Sequence, residues 1–384
     1  MGCSDASTII NSNLISLKSN IEKVLSKTVP PFQYNKTQNI NFNNVHVKLV
    51  GLSNIGKTSY MNATLQCLSN IKELTNKLLS KDVYTIINHD EYRVLSNAYI
   101  QLLNKLWNSN EDKYAPKYFK FVLGKMNPLF DGENANDPKD LIIFLLETLH
   151  TELNRVNSNG FLRINNIDTS NYDLAFKNYS NFFMNNYQSF ISGLFYGTHN
   201  SMIQCFSCSN VYNSIQSFSM LIFPLESVRK YKNYSQNLVS LIDCFEYNER
   251  CETFTGQNKM YCNHCGRYTT AKNRKKILIS PKILIINLDR GKANEFNITL
   301  NLEENLDISN YIYYKESPKK YGLIGTVNLC GNSGESGHFI AYCKIETPNY
   351  NGWYKYDDDK VSKVNFNDIF KFGSPYLLFY HYME

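Results

Sequence analysis

Two C-x-x-C knuckles, Cys205-Phe206-Ser207-Cys208 and Cys262-Asn263-His264-Cys265, constrain this chain more than any other feature. The spacing within a knuckle lets two thiolates reach one ion, and two knuckles complete a tetrahedral four-sulfur site. With cysteine at all four positions no coordination site stays open, so the expected metal is a structural Zn2+. Gly266 follows the second pair where a tight turn is useful, and His264 reads as a solvated turn residue, not a ligand. Neither knuckle opens a helix in a βαβ setting, which argues against a redox pair.

The chain has 384 residues and ten cysteines. Its first dozen residues lack the basic start and apolar block of a secretory signal, so reduced thiols and a cytoplasmic or nuclear location are expected. Met1-Gly2-Cys3-Ser4 also allows an N-terminal lipid anchor at Gly2 and Cys3, although Ala6 stands where the acylation pattern asks for Ser or Thr. The alternative is an untethered tail. A net charge of +6 is weak for this length and carries no nucleic-acid argument. The basic cluster Lys272, Arg274, Lys275 and Lys276 beside the ribbon reads as a solvated turn, and no nucleic-acid partner is expected. The richest apolar stretch, 277–288, is broken by Pro281 and Lys282, well short of the roughly 20 residues that a transmembrane helix needs.

Residues 1–47 are polar and Asn-rich, with a short helix predicted at 13–25, and read as an extension. A turn-rich loop at 51–56 leads into a helix starting near Thr58 or Ser59. The strongest helical signal covers 137–154, where Ile142, Leu145, Leu146, Leu149 and Leu153 form one stripe and Asp137-Pro138 supplies an N-cap and a first-turn proline. Beyond about residue 195 the pattern changes to strands: 202–204, 212–223, 276–288, 339–345, 353–356 and 376–382 are β-branched and aromatic runs between turn signals. Helices first and strands later give an α+β class, not a doubly wound parallel sheet.

The segment Gly51-Leu52-Ser53-Asn54-Ile55-Gly56-Lys57-Thr58-Ser59-Tyr60-Met61-Asn62 resembles the nucleophile box of the ubiquitin-specific proteases, papain-like cysteine peptidases. Further blocks match in order: Asn136-Asp137-Pro138-Lys139-Asp140, Leu194-Phe195-Tyr196-Gly197 with the two knuckles, Ser336-Gly337-His338-Phe339, Trp353-Tyr354-Lys355-Tyr356-Asp357-Asp358, and Tyr376-Leu377-Leu378-Phe379-Tyr380. The resemblance covers about 48–382. It implies a papain-like thumb and palm with a β-rich zinc-ribbon fingers region: a catalytic domain over 48–384, helical thumb about 48–195, fingers and palm about 196–384. It also implies ubiquitin or ubiquitinated proteins as partners, and hydrolysis of isopeptide or peptide bonds after the ubiquitin C-terminal Gly-Gly.

Carried across position by position, the resemblance makes His338 the general base and Asp357 the residue that orients it. The chemistry agrees, since the two stand on segments able to pair as a hairpin, where a buried carboxylate fixes the imidazole tautomer. Asn54 corresponds to the oxyanion donor, with Asp358 as helper, and Phe339 joins Asp137 and Asp140 on the substrate side. Those two acids match positions that face the basic ubiquitin tail; Asp140 replaces the usual Glu.

The departure lies at the nucleophile position, which holds Ser59 where the family has Cys. A thiol ionises near neutral pH, whereas a hydroxyl must lose its proton during attack, so a rate loss of several orders of magnitude is expected. Cys67, eight residues further along the helix, is about 12 Å away at 1.5 Å per residue and cannot substitute. Lys57 and the run Asp289-Arg290-Gly291 are further departures. Three accounts of Ser59 stand open: a natural pseudo-enzyme serving as a ubiquitin-binding scaffold, an active enzyme whose cysteine was replaced to trap a complex, and a serine-nucleophile variant.

Overall fold

The computed structural model describes residues 48–83, 93–155, 171–291, 297–314, 317–331 and 337–383. The lipid-anchor motif and the helix predicted at 13–25 lie outside them. The chain divides into two compact units, one running to Leu153 and resuming over His338–Ile369, the other formed by Asn154–Gly337 with Phe370–Glu384.

Among the described residues, the helices of the first unit include α1 (Ser59–Ser69), α2 (Lys72–Leu78), α3 (Val94–Asn108), α4 (Lys117–Met126) and α5 (Pro138–Glu152). All eleven residues of α1 are buried, the signature of a helix enclosed on every side. The predicted stripe on α5 is buried throughout, from Ile142 to Leu153, and Asp137 caps the helix by accepting the Lys139 N–H at 2.7 Å. On α3, Leu95, Tyr99, Leu102, Leu103 and Leu106 recur at helical spacing and are buried, while the Trp107 indole N–H reaches the Ser69 carbonyl at the end of α1. The strands His338–Glu346, Asn351–Asp357 and Lys360–Val364 form an antiparallel meander in this unit. A short parallel pair, Gly51–Leu52 with Lys113–Tyr114, flanks α1.

In the second unit a four-stranded sheet runs in the order Val211–Phe218, Gly197–Cys205, Ala271–Ile279, Cys251–Phe254. Helix α6 (Tyr172–Asn186) packs on it, with Ala175 and Tyr179 against Ile215 and Leu278. Strands Lys320–Cys330, Ser374–Tyr382, Ile283–Asp289 and Leu221–Pro224 pair successively in a second sheet. The architecture is α+β.

Three sequence expectations need correction in this unit. The run 212–223 is two strands, because Phe218 pairs with Gly197 and Leu221 with Ile286, in different sheets. The run 276–288 divides the same way at Pro281, which has no N–H for a ladder. The basic cluster is no turn: Lys272, Arg274 and Lys276 alternate with buried Ala271, Asn273 and Ile277 along one strand, and Lys276 pairs with Glu249 at 2.6 Å. The second unit also contains helices α7 (Phe190–Phe195), α8 (Leu225–Tyr231) and α9 (Leu241–Asn248); the last two interrupt a stretch that reads as strands. The start of α9 had a signal, the capping box Ser240-x-x-Asp243. No helix among the described residues is long and apolar enough to cross a membrane.

Glu152 closes α5 and reaches the start of α3, accepting the Leu95 and Ser96 N–H groups at 3.2 and 2.7 Å. Burial pushes its carboxyl up to about 7, against the opposing pull of those hydrogen bonds. The folded value exceeds the unfolded one, so the stability Glu152 contributes is complete below the ordinary Glu range and is lost as pH rises through about 7. Thermal unfolding from pH 5 to 8 should therefore show the native protein losing stability relative to Glu152→Gln as pH rises; parallel curves would refute the assignment.

Candidate active site and metal centre

Helix α1 begins at Ser59, and the loop before it is shaped by Asn54. The Asn54 Oδ1 accepts from the Thr58 N–H at 3.0 Å and the Gly56 N–H at 3.3 Å, while Thr58 Oγ1 accepts the Ile55 N–H at 3.0 Å. This closure requires left-handed backbone at two successive residues, Gly56 (φ +112°) and Lys57 (φ +49°). For Lys57 that conformation costs about 1–2 kcal/mol. Gly51 answers a close approach: a Cβ there would lie 2.5 Å from the Asp359 carbonyl oxygen. The first backbone N–H groups of α1 have no intrahelical acceptor, so the helix start favours negative charge. Ser59 sits there, buried, and its Oγ accepts the Phe339 backbone N–H at 3.2 Å.

His338 and Asp357 meet across the hairpin, with Nε2 2.7 Å from Oδ1. Burial raises the Asp357 carboxyl, but the hydrogen bond and charge of His338, together with Lys355, outweigh it and hold the group below its ordinary value. The carboxylate is less enclosed than expected, with about a third of the side chain exposed (34%). Lys355 Nζ lies 3.4 Å from its other oxygen.

Asp358, in left-handed conformation at φ +52°, binds the two chain segments of the site together. Its carbonyl accepts the Leu52 N–H at 2.9 Å, Oδ2 accepts from Asn54 Nδ2 at 3.0 Å, and Oδ1 accepts from Asn62 Nδ2 at 2.8 Å. Asn62 Nδ2 also donates to the Leu52 carbonyl at 3.0 Å, and Gln66 Nε2 to that of Val50 at 2.8 Å. Sequence patterns do not single out Asn62; its one signal is that Ser59, Asn62 and Gln66 share one helix face at i, i+3 and i+7.

Of the residues the resemblance assigns to the substrate side, Phe339 is joined to Ser59 through its amide; Asn136, just before Asp137, donates from Nδ2 to the Tyr60 hydroxyl at 3.3 Å. Asp137 and Asp140 form an acidic pair at the start of α5, with Lys139 Nζ 3.9 Å from a carboxylate oxygen of each. Burial and the neighbouring Asp137 raise the Asp140 carboxyl, while Lys139 opposes them.

In the second unit, the Sγ atoms of Cys205, Cys208, Cys262 and Cys265 lie within 4.8 Å of one another. A tetrahedral Zn–S length of about 2.3 Å requires sulfurs about 3.8 Å apart, and the pairs Cys205–Cys265 and Cys208–Cys262 stand at 4.0 and 3.6 Å. Both knuckles close alike: Ser209 N–H bonds the Cys205 carbonyl and Gly266 N–H that of Cys262, each at 2.9 Å and each with positive φ. The Thr269 and Tyr212 hydroxyls lie 3.1 Å from the Cys205 and Cys262 sulfurs, placed to donate to thiolates. The donor set and its geometry fit a metal ion, and His264 is exposed.

Comparison with known proteins agrees with the fold. The structure is similar to that of the SAGA DUB module, Ubp8 with Sgf11, Sus1 and Sgf73, bound to monoubiquitin, at a TM-score of 0.65 and 21% identity, covering 99% of this chain and 76% of that one. In sequence the chain is 27% identical over 366 residues to human ubiquitin carboxyl-terminal hydrolase 21, and 27% identical over 341 residues to bovine ubiquitin carboxyl-terminal hydrolase 2. These matches cover 87% and 86% of this chain but only 62% and 55% of the relatives. The family model for ubiquitin carboxyl-terminal hydrolase matches residues 50–380, which include both the Ser59–His338–Asp357 cluster and the four-cysteine centre. The chain belongs to the ubiquitin carboxyl-terminal hydrolase family.

Proposed function

We propose that the chain recognises ubiquitin and carries a deubiquitinase site in which Ser59 occupies the nucleophile position. The observation that carries this reading is the convergence of Ser59 at a helix start, the His338–Asp357 pair, and Asn54 held by Asp358. With Nε2 committed to Asp357, Nδ1 of His338 is the nitrogen left to take a proton from the nucleophile. Attack forms a bond from the Ser59 oxygen to the carbonyl carbon of the terminal glycine, and the Ser59 proton passes to His338. The imidazolium then protonates the departing amine, and water hydrolyses the acyl-enzyme with His338 as base. Asn54 Nδ2 has a second hydrogen beyond the one given to Asp358, and it serves as the oxyanion donor. Asp137 and Asp140 face the basic tail of ubiquitin, with Lys139 competing for the same charge, and Phe339 lines its path.

Ser59 makes hydrolysis slow, because removal of the hydroxyl proton now falls wholly within the attack step. That same residue favours a second reading, a ubiquitin-binding module that does not cut. The four cysteines hold a structural Zn2+ that pins the ribbon and supplies no reaction chemistry.

Two measurements follow. Hydrolysis of a fluorogenic ubiquitin C-terminal substrate should rise about a thousandfold or more in Ser59→Cys and fall back to background when His338→Ala is added. A Ser59→Cys protein that binds ubiquitin without turnover would establish the binding module, and absence of binding in both forms would refute both readings. Elemental analysis of freshly purified protein should find one zinc per chain, lost in Cys205→Ser/Cys262→Ser together with the ribbon's thermal stability; metal-free folded protein would refute the assignment.

A further inference from the structure

Asp357 uses its two carboxylate oxygens on different partners: Oδ1 takes His338 Nε2 at 2.7 Å and Oδ2 takes Lys355 Nζ at 3.4 Å. Lys355 stands two residues before Asp357 on the same strand, so both side chains leave the same face. Its side chain is only 23% exposed, which shields the pair from the solvent that makes surface ion pairs weak. The terminal torsion of an Asp is broad and nearly two-fold, so a carboxylate held at one oxygen can swing. Held at both, it presents Oδ1 to the imidazole in a single orientation.

Building on the deubiquitinase reading, we infer that Lys355 is a positioning residue for the His338–Asp357 pair: it locks the carboxylate that orients the base and shares its negative charge. The sharing matters because a carboxylate that also serves an ammonium stabilises an imidazolium less. The charged groups around the pair, among the described residues, come from every strand of the meander. His338 itself lies on the first strand; Lys355 and Asp357 lie on the second, followed by Asp358, whose Oδ2 is 4.0 Å from His338 Nε2; and Lys360, exposed, stands opposite Asp357 on the third. Of these cations, Lys355 is the one in contact with Asp357. From α1 the group against the hairpin is the neutral Ser59 hydroxyl.

The test compares Lys355→Met and Lys355→Arg in the Ser59→Cys background, with the fluorogenic ubiquitin substrate. Lys355→Met should lower kcat about tenfold while KM stays within about twofold, since the residue acts on the base and not on ubiquitin. The alkaline limb of its kcat/KM profile should move upward by about half a pH unit, because the imidazolium loses a competing cation. Lys355→Arg should restore both. A purely structural ion pair would change thermal stability and leave the pH limb in place, and that result overturns the proposal. So does an unchanged kcat in Lys355→Met when Ser59→Cys is active. An inert Ser59→Cys protein overturns the hydrolase reading and this proposal together, whereas activity that is indifferent to Lys355 overturns only this one.

Discussion

The Asp358 carboxylate is the contact on which the candidate site depends. It bridges Asn54, before α1, and Asn62, within α1, so that segments some three hundred residues apart in sequence share one anion. Neither amide reaches the other directly. Removing the carboxylate would leave Asn62, whose Oδ1 already has no partner, buried with one acceptor for Nδ2 instead of two. Unsatisfied buried polar groups cost about 1–3 kcal/mol each, so the loop geometry at Asn54 and the start of α1 are expected to fail together. The left-handed backbone of Lys57 and Asp358 is the strain that this network sustains.

Within that frame the Ser59 site is more suited to an anion than to a hydroxyl. A helix start and the Phe339 amide converge on the Ser59 Oγ. Both would stabilise a thiolate in the ground state, where a cysteine gains most. Serine is never an anion at rest, so these donors act only as its oxygen develops charge. Retention of the surrounding geometry around a residue with poorer chemistry is what separates the binding and hydrolytic readings.

Much of the molecule was legible in the sequence for local reasons. The α5 stripe and its Asp137-Pro138 start needed only helical periodicity and capping, and the knuckles needed only ligand spacing. His338 and Asp357 were singled out by the family resemblance, and their spacing over a short hairpin agreed with it. Asn62 and Lys355 were not, since their partners are set by tertiary contact: Asn62 looks like an ordinary polar helix residue until Asp358 arrives from the far end of the chain. The short helix α8 was hidden because seven residues hold too few turns to show a period, and α9, one residue longer, offered only its capping box. The division of 276–288 was signalled by Pro281, whose effect on the ladder outweighed the apolar run.

The central proposal is that these residues form a ubiquitin-recognising site complete but for its sulfur. Ubiquitin bearing a C-terminal propargylamide tests it most directly, because the adduct forms only where a bound tail meets a reactive thiolate. Intact-mass analysis should show one ubiquitin added per chain in Ser59→Cys and none in the Ser59 protein. Folded, zinc-loaded Ser59→Cys protein that gains no adduct would contradict the account.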